Sequence, residues 1–147
     1  MSLIFNKKAS FDYVILEKFD AGVELTGLEV KSLRGKSGSL EGSYVTVRGG
    51  EAYIIGMLIP PFQVGNTPKD YDPRRNRRLL LTKKEIGNLA AVESKKGLTI
   101  VPISVYNKGR KIKVEIGVAR GKKQFDKRES QKKRETDREI QRTLKYE

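Results

Sequence analysis

Between Lys111 and Val118 the chain alternates with a period of two. Ile112, Val114, Ile116 and Val118 fall on one side, and Lys111, Lys113, Glu115 and Gly117 on the other. A strand patterned this way buries one face and wets the other, which is the habit of antiparallel sheets. The β-rich run Leu98 to Tyr106 precedes it, and the linking Asn107-Lys108-Gly109-Arg110 predicts a hairpin. Tyr44 to Arg48 and Glu51 to Ile55 flank Gly49-Gly50 and predict a second one, its outgoing strand continuing to Ile59 before Pro60-Pro61 ends it. Asp12 to Phe19 predicts a strand buried on both faces at its centre, broken by Ala21-Gly22 and followed by a short strand from Val23 to Leu25.

Two helices announce themselves by their start signals. Thr26-Gly27-Leu28-Glu29 and Thr82-Lys83-Lys84-Glu85 both have the Thr-x-x-Glu spacing of a capping box. The first helix is expected to run about two turns, with Glu29, Lys31 and Arg34 on one polar face and Gly35 as its left-handed stop. The second is expected to turn Ile86, Leu89, Ala90 and Val92 to one side and to close at Gly97. Gly65 to Arg78 reads as a loop, made strongly positive by Arg74, Arg75, Arg77 and Arg78. About six strands, with one helix early and one between strand groups, predict a mainly β fold. The expected form is a small, OB-like β-barrel with two or three short helices.

Charge points to a partner. The chain carries a formal +13 with a pI near 10.0, shared between residues 1–120 at +9 and residues 121–147 at +4. Such an excess favours a polyanion, nucleic acid before an anionic membrane. No apolar run approaches the roughly 18 residues of a spanning helix. From Gly121 onward ten Lys/Arg face six Asp/Glu, with only Phe125, Ile140, Leu144 and Tyr146 apolar. That tail has helical composition but no face to bury, so it is expected to be disordered when free and to become helical against something anionic. The domain division expected is a barrel over 1–120 and a basic tail over 121–147.

Catalysis finds little to work with. Without histidine or cysteine there is no ordinary proton shuttle, no zinc ribbon and no disulfide framework. Within residues 1–120, Asp70 and Asp72 form the one close acidic pair, and their arginine neighbours account for them more simply than Mg²⁺ would. No cofactor is expected. The N-terminus MSLIFNKKAS has a three-residue apolar run before its lysines and no signal-peptide core, so a cytoplasmic protein is expected. Basic sets at Lys7-Lys8, Arg74 to Arg78, Lys83-Lys84, Lys95-Lys96, Lys108 to Lys113 and Arg120 to Lys123 fit phosphate contacts. Phe11, Tyr13, Tyr71 and Tyr106 are candidates for base stacking, although Tyr13 and Tyr106 fit a core equally well. The residues by themselves thus reach an RNA or DNA binder with an inducible basic helix, and leave its partner open.

Five separated motifs narrow this. Asn6-Lys7-Lys8-Ala9, Phe19-Asp20-Ala21-Gly22, the run Gly27 to Arg34, Asp72-Pro73 with Arg77 to Leu81, and Ala119 to Lys123 with Asp126-Lys127-Arg128 resemble, in order, the SsrA-binding protein (small protein B) family of bacteria. The resemblance implies an OB-like barrel that is not an enzyme. It implies binding to the tRNA-like domain of transfer-messenger RNA (tmRNA) in the rescue of stalled 70S ribosomes by trans-translation. Elongation factor Tu with GTP acts on the same charged RNA, and the protein is expected to be a monomer without membrane association. RNA-binding positions implied by the resemblance are Asn6, Asp20, Glu29, Lys31, Leu80 and Lys113, with Lys122 and Lys123 at the barrel exit. Asp126, Lys127, Arg128, Lys132, Lys133, Arg134 and Arg138 are implied to direct the tail toward 16S rRNA of the decoding centre and the empty mRNA channel. Phe11 and Tyr71 stand where relatives carry histidine, and Asp20 where glutamate is common. A structural ribosomal protein, or a general RNA-binding protein, is the alternative for a chain this small, basic and tailed.

Overall fold

A computed structural model describes residues 2–63, 65 and 67–121. The expectations for the tail from Lys122 onward lie outside the described residues.

Three eleven-residue strands form the spine: β2 (Tyr13–Val23), β6 (Leu98–Lys108) and β7 (Lys111–Gly121). Ile112, Val114 and Ile116 enter the core as the alternation requires. Beyond Ile116 the alternation ends, and Gly117, Val118 and Ala119 are all buried. The cause is α1 (Lys7–Asp12), which lays Ala9 over the second face, where Ala9, Val101 and Ala119 form their own apolar cluster with Tyr13 and Ile15. The β6–β7 turn is tighter than expected. Asn107 pairs with Ile112 and Lys108 with Lys111, so only Gly109, at φ 62°, and Arg110 lie between the strands.

The sequence expectation for β2 is corrected in two respects. The strand runs unbroken through Ala21 and Gly22, because Gly22 pairs with Lys113 on one side and with Leu80 on the other. Its buried end is Ala21 to Val23 and not its middle, where the register shifts between Ile15 and Glu17 and Leu16 is 53% exposed. β1 (Ser2–Phe5) and α1 were not foreseen. β1 is short, and α1 is started by the Asn6 side chain, which accepts from the Ala9 N–H at 3.1 Å.

Both capping boxes form as expected, opening α2 (Gly27–Arg34) and α3 (Lys83–Glu93). At the end of α2 the left-handed residue is Lys36 (φ 62°), not Gly35 (φ −79°). Bonds from Ser37 N–H to Ser32 O and from Lys36 N–H to Leu33 O place the reversal one residue later than expected. Ile86 and Leu89 of α3 are buried while Ala90 is exposed.

The hairpin of β3 (Tyr44–Arg48) and β4 (Glu51–Ile55) turns through Gly49 and Gly50, both at positive φ, as a two-residue primed turn demands. β4 stops at Ile55 and not at Ile59, since Gly56 at φ 83° bends the chain. β5 (Arg77–Leu80) then inserts between β2 and β4. The outcome is one seven-stranded antiparallel sheet in the order β1-β6-β7-β2-β5-β4-β3. It curls so that β3 approaches β6, giving the mainly β, OB-like form expected, although hydrogen bonding does not close the sheet. Leu33, Ile54, Met57, Leu79, Ile100 and Val114 fill the inside. Glu93 at the end of α3 accepts from Thr46 Oγ1 (2.6 Å) and from Val47 N–H (2.8 Å), which ties the helix to β3.

Candidate RNA-binding surface

Directly paired residues in an antiparallel sheet project to the same face. Leu80 of β5 pairs with Gly22 of β2, Gly22 with Lys113 of β7, and Lys113 with Tyr106 of β6. Four strands far apart in sequence therefore contribute one lateral row. In the next row of β2, Asp20 sits opposite Glu115. Tyr106 reaches across to hydrogen-bond Asp20. Burial, that bond and the charges of Asp20 and Glu115 push its phenol up to about 12.

The end of this row is a shallow groove of about 460 Å³, lined among others by Gly22, Leu25, Leu80, Arg110, Lys111 and Lys113. Leu80 is 51% exposed, the reverse of its buried neighbour Leu79, as strand alternation through the Leu-Leu-Leu run requires. Arg34 of α2 donates to the Arg110 carbonyl at 2.8 Å and pins the β6–β7 turn beside the groove. An apolar floor with three cations at its rim suits a nucleotide, with its base on the leucine and its phosphate on the basic side chains. Of these cations Lys113 alone is among the positions that the family resemblance implies. Arg110 and Lys111 belong to a basic set whose direction depends on the two-residue turn.

The remaining expected contacts are not gathered here. Gly121 pairs with Tyr13 at the far end of β7, eight residues beyond Lys113. At about 3.3 Å per residue Gly121 stands roughly 26 Å from Lys113, and the expected contacts Lys122 and Lys123 lie outside the described residues. Asn6 also lies toward that end, and its side chain is spent inside the protein. Its oxygen caps α1, and its amide donates to Pro102 O (2.9 Å) and Leu40 O (3.3 Å). Lys31 is exposed, with Nζ 6.0 Å from the centre of the Phe62 ring.

Glu29 departs most from the polar face expected of it. Its side chain is wholly buried, and its carboxylate accepts from Arg77 Nε (2.8 Å), Arg75 Nε (3.1 Å), Tyr71 Oη (3.2 Å) and the Thr26 N–H (2.9 Å). Burial pushes the carboxyl up, but the bonds from Arg75, Thr26 and Arg77 outweigh it and hold it at about 2. Arg77 is fully buried too, and its guanidinium also donates to Met57 O (2.8 Å) and Pro73 O (3.1 Å). The strongly positive loop expected from Arg74 to Arg78 is thereby corrected. Arg75 and Arg77 share the single negative charge of Glu29, and Arg78 pairs with Glu24 (2.8 Å) and Glu51 (3.6 Å). Asp72 accepts from the Arg74 N–H at 2.9 Å as a turn residue. Among the described residues no three metal-ligating side chains come together. Nor is any described helix long and apolar enough to cross a membrane.

A family model described as SmpB protein matches residues 3–146. The SsrA-binding protein of Latilactobacillus sakei subsp. sakei (strain 23K) is 51% identical over 140 residues, covering 95% of this chain and 89% of its own length. That of Gloeothece citriformis is 46% identical over 140 residues, with 95% and 90% covered. A solved structure described as "tmRNA-SmpB: a journey to the center of the bacterial ribosome" superposes with a TM-score of 0.70 at 42% identity, covering 82% of this chain and 85% of that one. With a family match spanning nearly every residue and relatives this close in both sequence and shape, the chain belongs to the SmpB family of SsrA-binding proteins.

Proposed function

We propose that this protein binds the tRNA-like domain of tmRNA through the Leu80–Gly22–Lys113–Tyr106 row and supports trans-translation on stalled ribosomes. The observation that carries the reading is the assembly itself. Leu80, Asp20 and Lys113 come from three separate strands, and strand pairing sets them on one face beside a basic groove. The names of its relatives, and the pairing of tmRNA with SmpB on the bacterial ribosome in the similar solved structure, support the same partner.

Each residue has a distinct task in this reading. Lys113, Arg110 and Lys111 meet phosphates, and Leu80 offers an apolar shelf to a base. Asp20, steadied by the Tyr106 hydroxyl, accepts a hydrogen bond from a base amino group or a 2′-hydroxyl. Asn6 acts through α1, and Glu29 holds the Tyr71–Arg77 segment in place, so neither touches RNA directly. Lys31, Lys122 and Lys123 add phosphate contacts at the edges of the site. The tail, from Asp126 through Arg138, enters the decoding centre and the mRNA channel when the RNA, with elongation factor Tu and GTP, reaches the A site. The protein acts as a monomer in the cytoplasm and performs no catalysis of its own.

The test is an electrophoretic mobility shift with the isolated tRNA-like domain of tmRNA. Leu80→Ala and Lys113→Ala are each expected to weaken binding about tenfold, which is the effect of one lost apolar or charge-assisted contact. Lys113→Ala is further expected to lower the log-log salt slope by about 0.7–0.9. Parental affinity in both variants would remove the row from the interface. One copy on every 70S particle, in place of substoichiometric occupancy, would replace the rescue reading by that of a structural ribosomal protein.

A further inference from the structure

Gly22 lies in the middle of the row, between Leu80 and Lys113. Its φ is not in the positive region, so its backbone conformation does not call for glycine. Its surroundings do. A Cβ built there would stand 3.2 Å from Leu80 Cβ, 3.3 Å from Leu80 Cδ1 and 3.6 Å from Leu80 Cγ. The leucine side chain thus lies over the bare Cα of Gly22, and a methyl group would displace it by a few tenths of an ångström. Glycine inside a strand commonly marks such a close approach.

We propose that Gly22 is a positioning residue for RNA binding, setting the height and direction of Leu80 at the floor of the groove. The inference rests on the reading of Leu80 as an RNA contact and adds a residue that acts only through it. Leu80 is 51% exposed, so its Cδ1 end can turn away from a new methyl, while its Cβ moves only with β5. The effect of filling Gly22 therefore falls mainly on the presented surface. The three heavy atoms nearest to the added Cβ all belong to Leu80. The coupling is thus directed at the leucine.

The experiment is a double-mutant cycle, read as dissociation constants for the labelled tRNA-like domain of tmRNA, with thermal melting as the control on folding. Gly22→Ala in the parent is expected to weaken binding about three- to tenfold with the melting midpoint unchanged. In the Leu80→Ala background the same substitution is expected to have no further effect, whereas with Lys113→Ala the two losses multiply. Leu80→Ile, which moves the methyl groups and leaves Gly22 untouched, is expected to reproduce the loss even if Gly22→Ala proves poorly folded. Equal losses from Gly22→Ala with and without Leu80, or parental affinity in Leu80→Ile, would overturn the positioning role. Parental affinity in Leu80→Ala would instead refute the RNA-contact reading of Leu80, and with it this inference, so the two failures are distinguishable.

Discussion

Replacing Glu29 by glutamine keeps its shape and removes its charge, and the expected consequence follows from the surroundings of the carboxylate. Its side chain and that of Arg77 are both inaccessible, while Arg75 is 34% exposed and can turn to water. Arg77 would be left as a buried cation without its counter-charge, a change that typically costs about 3–5 kcal/mol. The acid side leads to a similar size. The carboxyl is held at about 2 against an ordinary 4.5, and at about 1.36 kcal/mol per unit the ionised form contributes roughly 3 kcal/mol at neutral pH. Because the folded value lies below the unfolded one, this stabilisation is complete above about pH 4.5 and is lost as the pH falls toward 2. The assay is urea unfolding followed by circular dichroism, at pH 7 and in steps down to pH 2. Glu29→Gln is expected to lose roughly 3–4 kcal/mol at pH 7, about 10–20 °C in Tm, and to lack the parent's added decline between pH 4.5 and 2. A loss below about 1 kcal/mol at pH 7, or an acid profile parallel to the parent's, would refute the account of this cluster as a tightly coupled anchor.

Asn6→Ala removes the cap of α1 and the amide bonded to Pro102 O and Leu40 O, and is expected to destabilise by about 2–3 kcal/mol in denaturant titrations. Gly117→Ala would place a Cβ 2.9 Å from Ile103 Cδ1 and 3.0 Å from Ile15 Cγ2, so overpacking of about 1–3 kcal/mol is expected there, in contrast to the tolerant Gly22. Lys122→Ala with Lys123→Ala is expected to lower the salt slope of RNA binding by up to about 0.9 per lost contact, and an unchanged slope would remove both from the interface. Truncation after Phe125 is expected to leave RNA affinity near that of the parent while abolishing tagging of stalled peptides. Retained tagging would refute the proposed role of the tail.

The elements most legible in the sequence were those whose signals and partners lie within a few residues of each other. Thr26 and Glu29 satisfy one another across three residues, as do Thr82 and Glu85, so both helix starts appear where the spacing places them. Gly49-Gly50 specifies its hairpin by the same local logic. α1 is also locally specified, by Asn6, but its signal is one side chain before a six-residue helix that passes straight into Tyr13 with no breaker between. The continuity of β2 was hidden for a different reason. Ala21-Gly22 resembles a break until Leu80 and Lys113 pair across it from both sides.

Hydrophobic alternation and capping spacing by themselves determined a mainly antiparallel domain with two capped helices, and the charge excess pointed to a polyanionic partner. Each is a property of neighbouring residues or of the whole composition. The tertiary structure decided which charges remain at the surface. Glu29 sits on a helix whose polar face would have pointed outward, but β5 and the segment before it deliver Arg75, Arg77 and Tyr71 to its carboxylate, so that Arg77 is buried and the loop's cationic patch is reduced by ion pairing. It also decided the proposed binding row, because Leu80, Gly22, Lys113 and Tyr106 become neighbours only through strand register. Within this row the register joins residues as much as 91 positions apart, Gly22 and Lys113, a relation to which no local pattern refers.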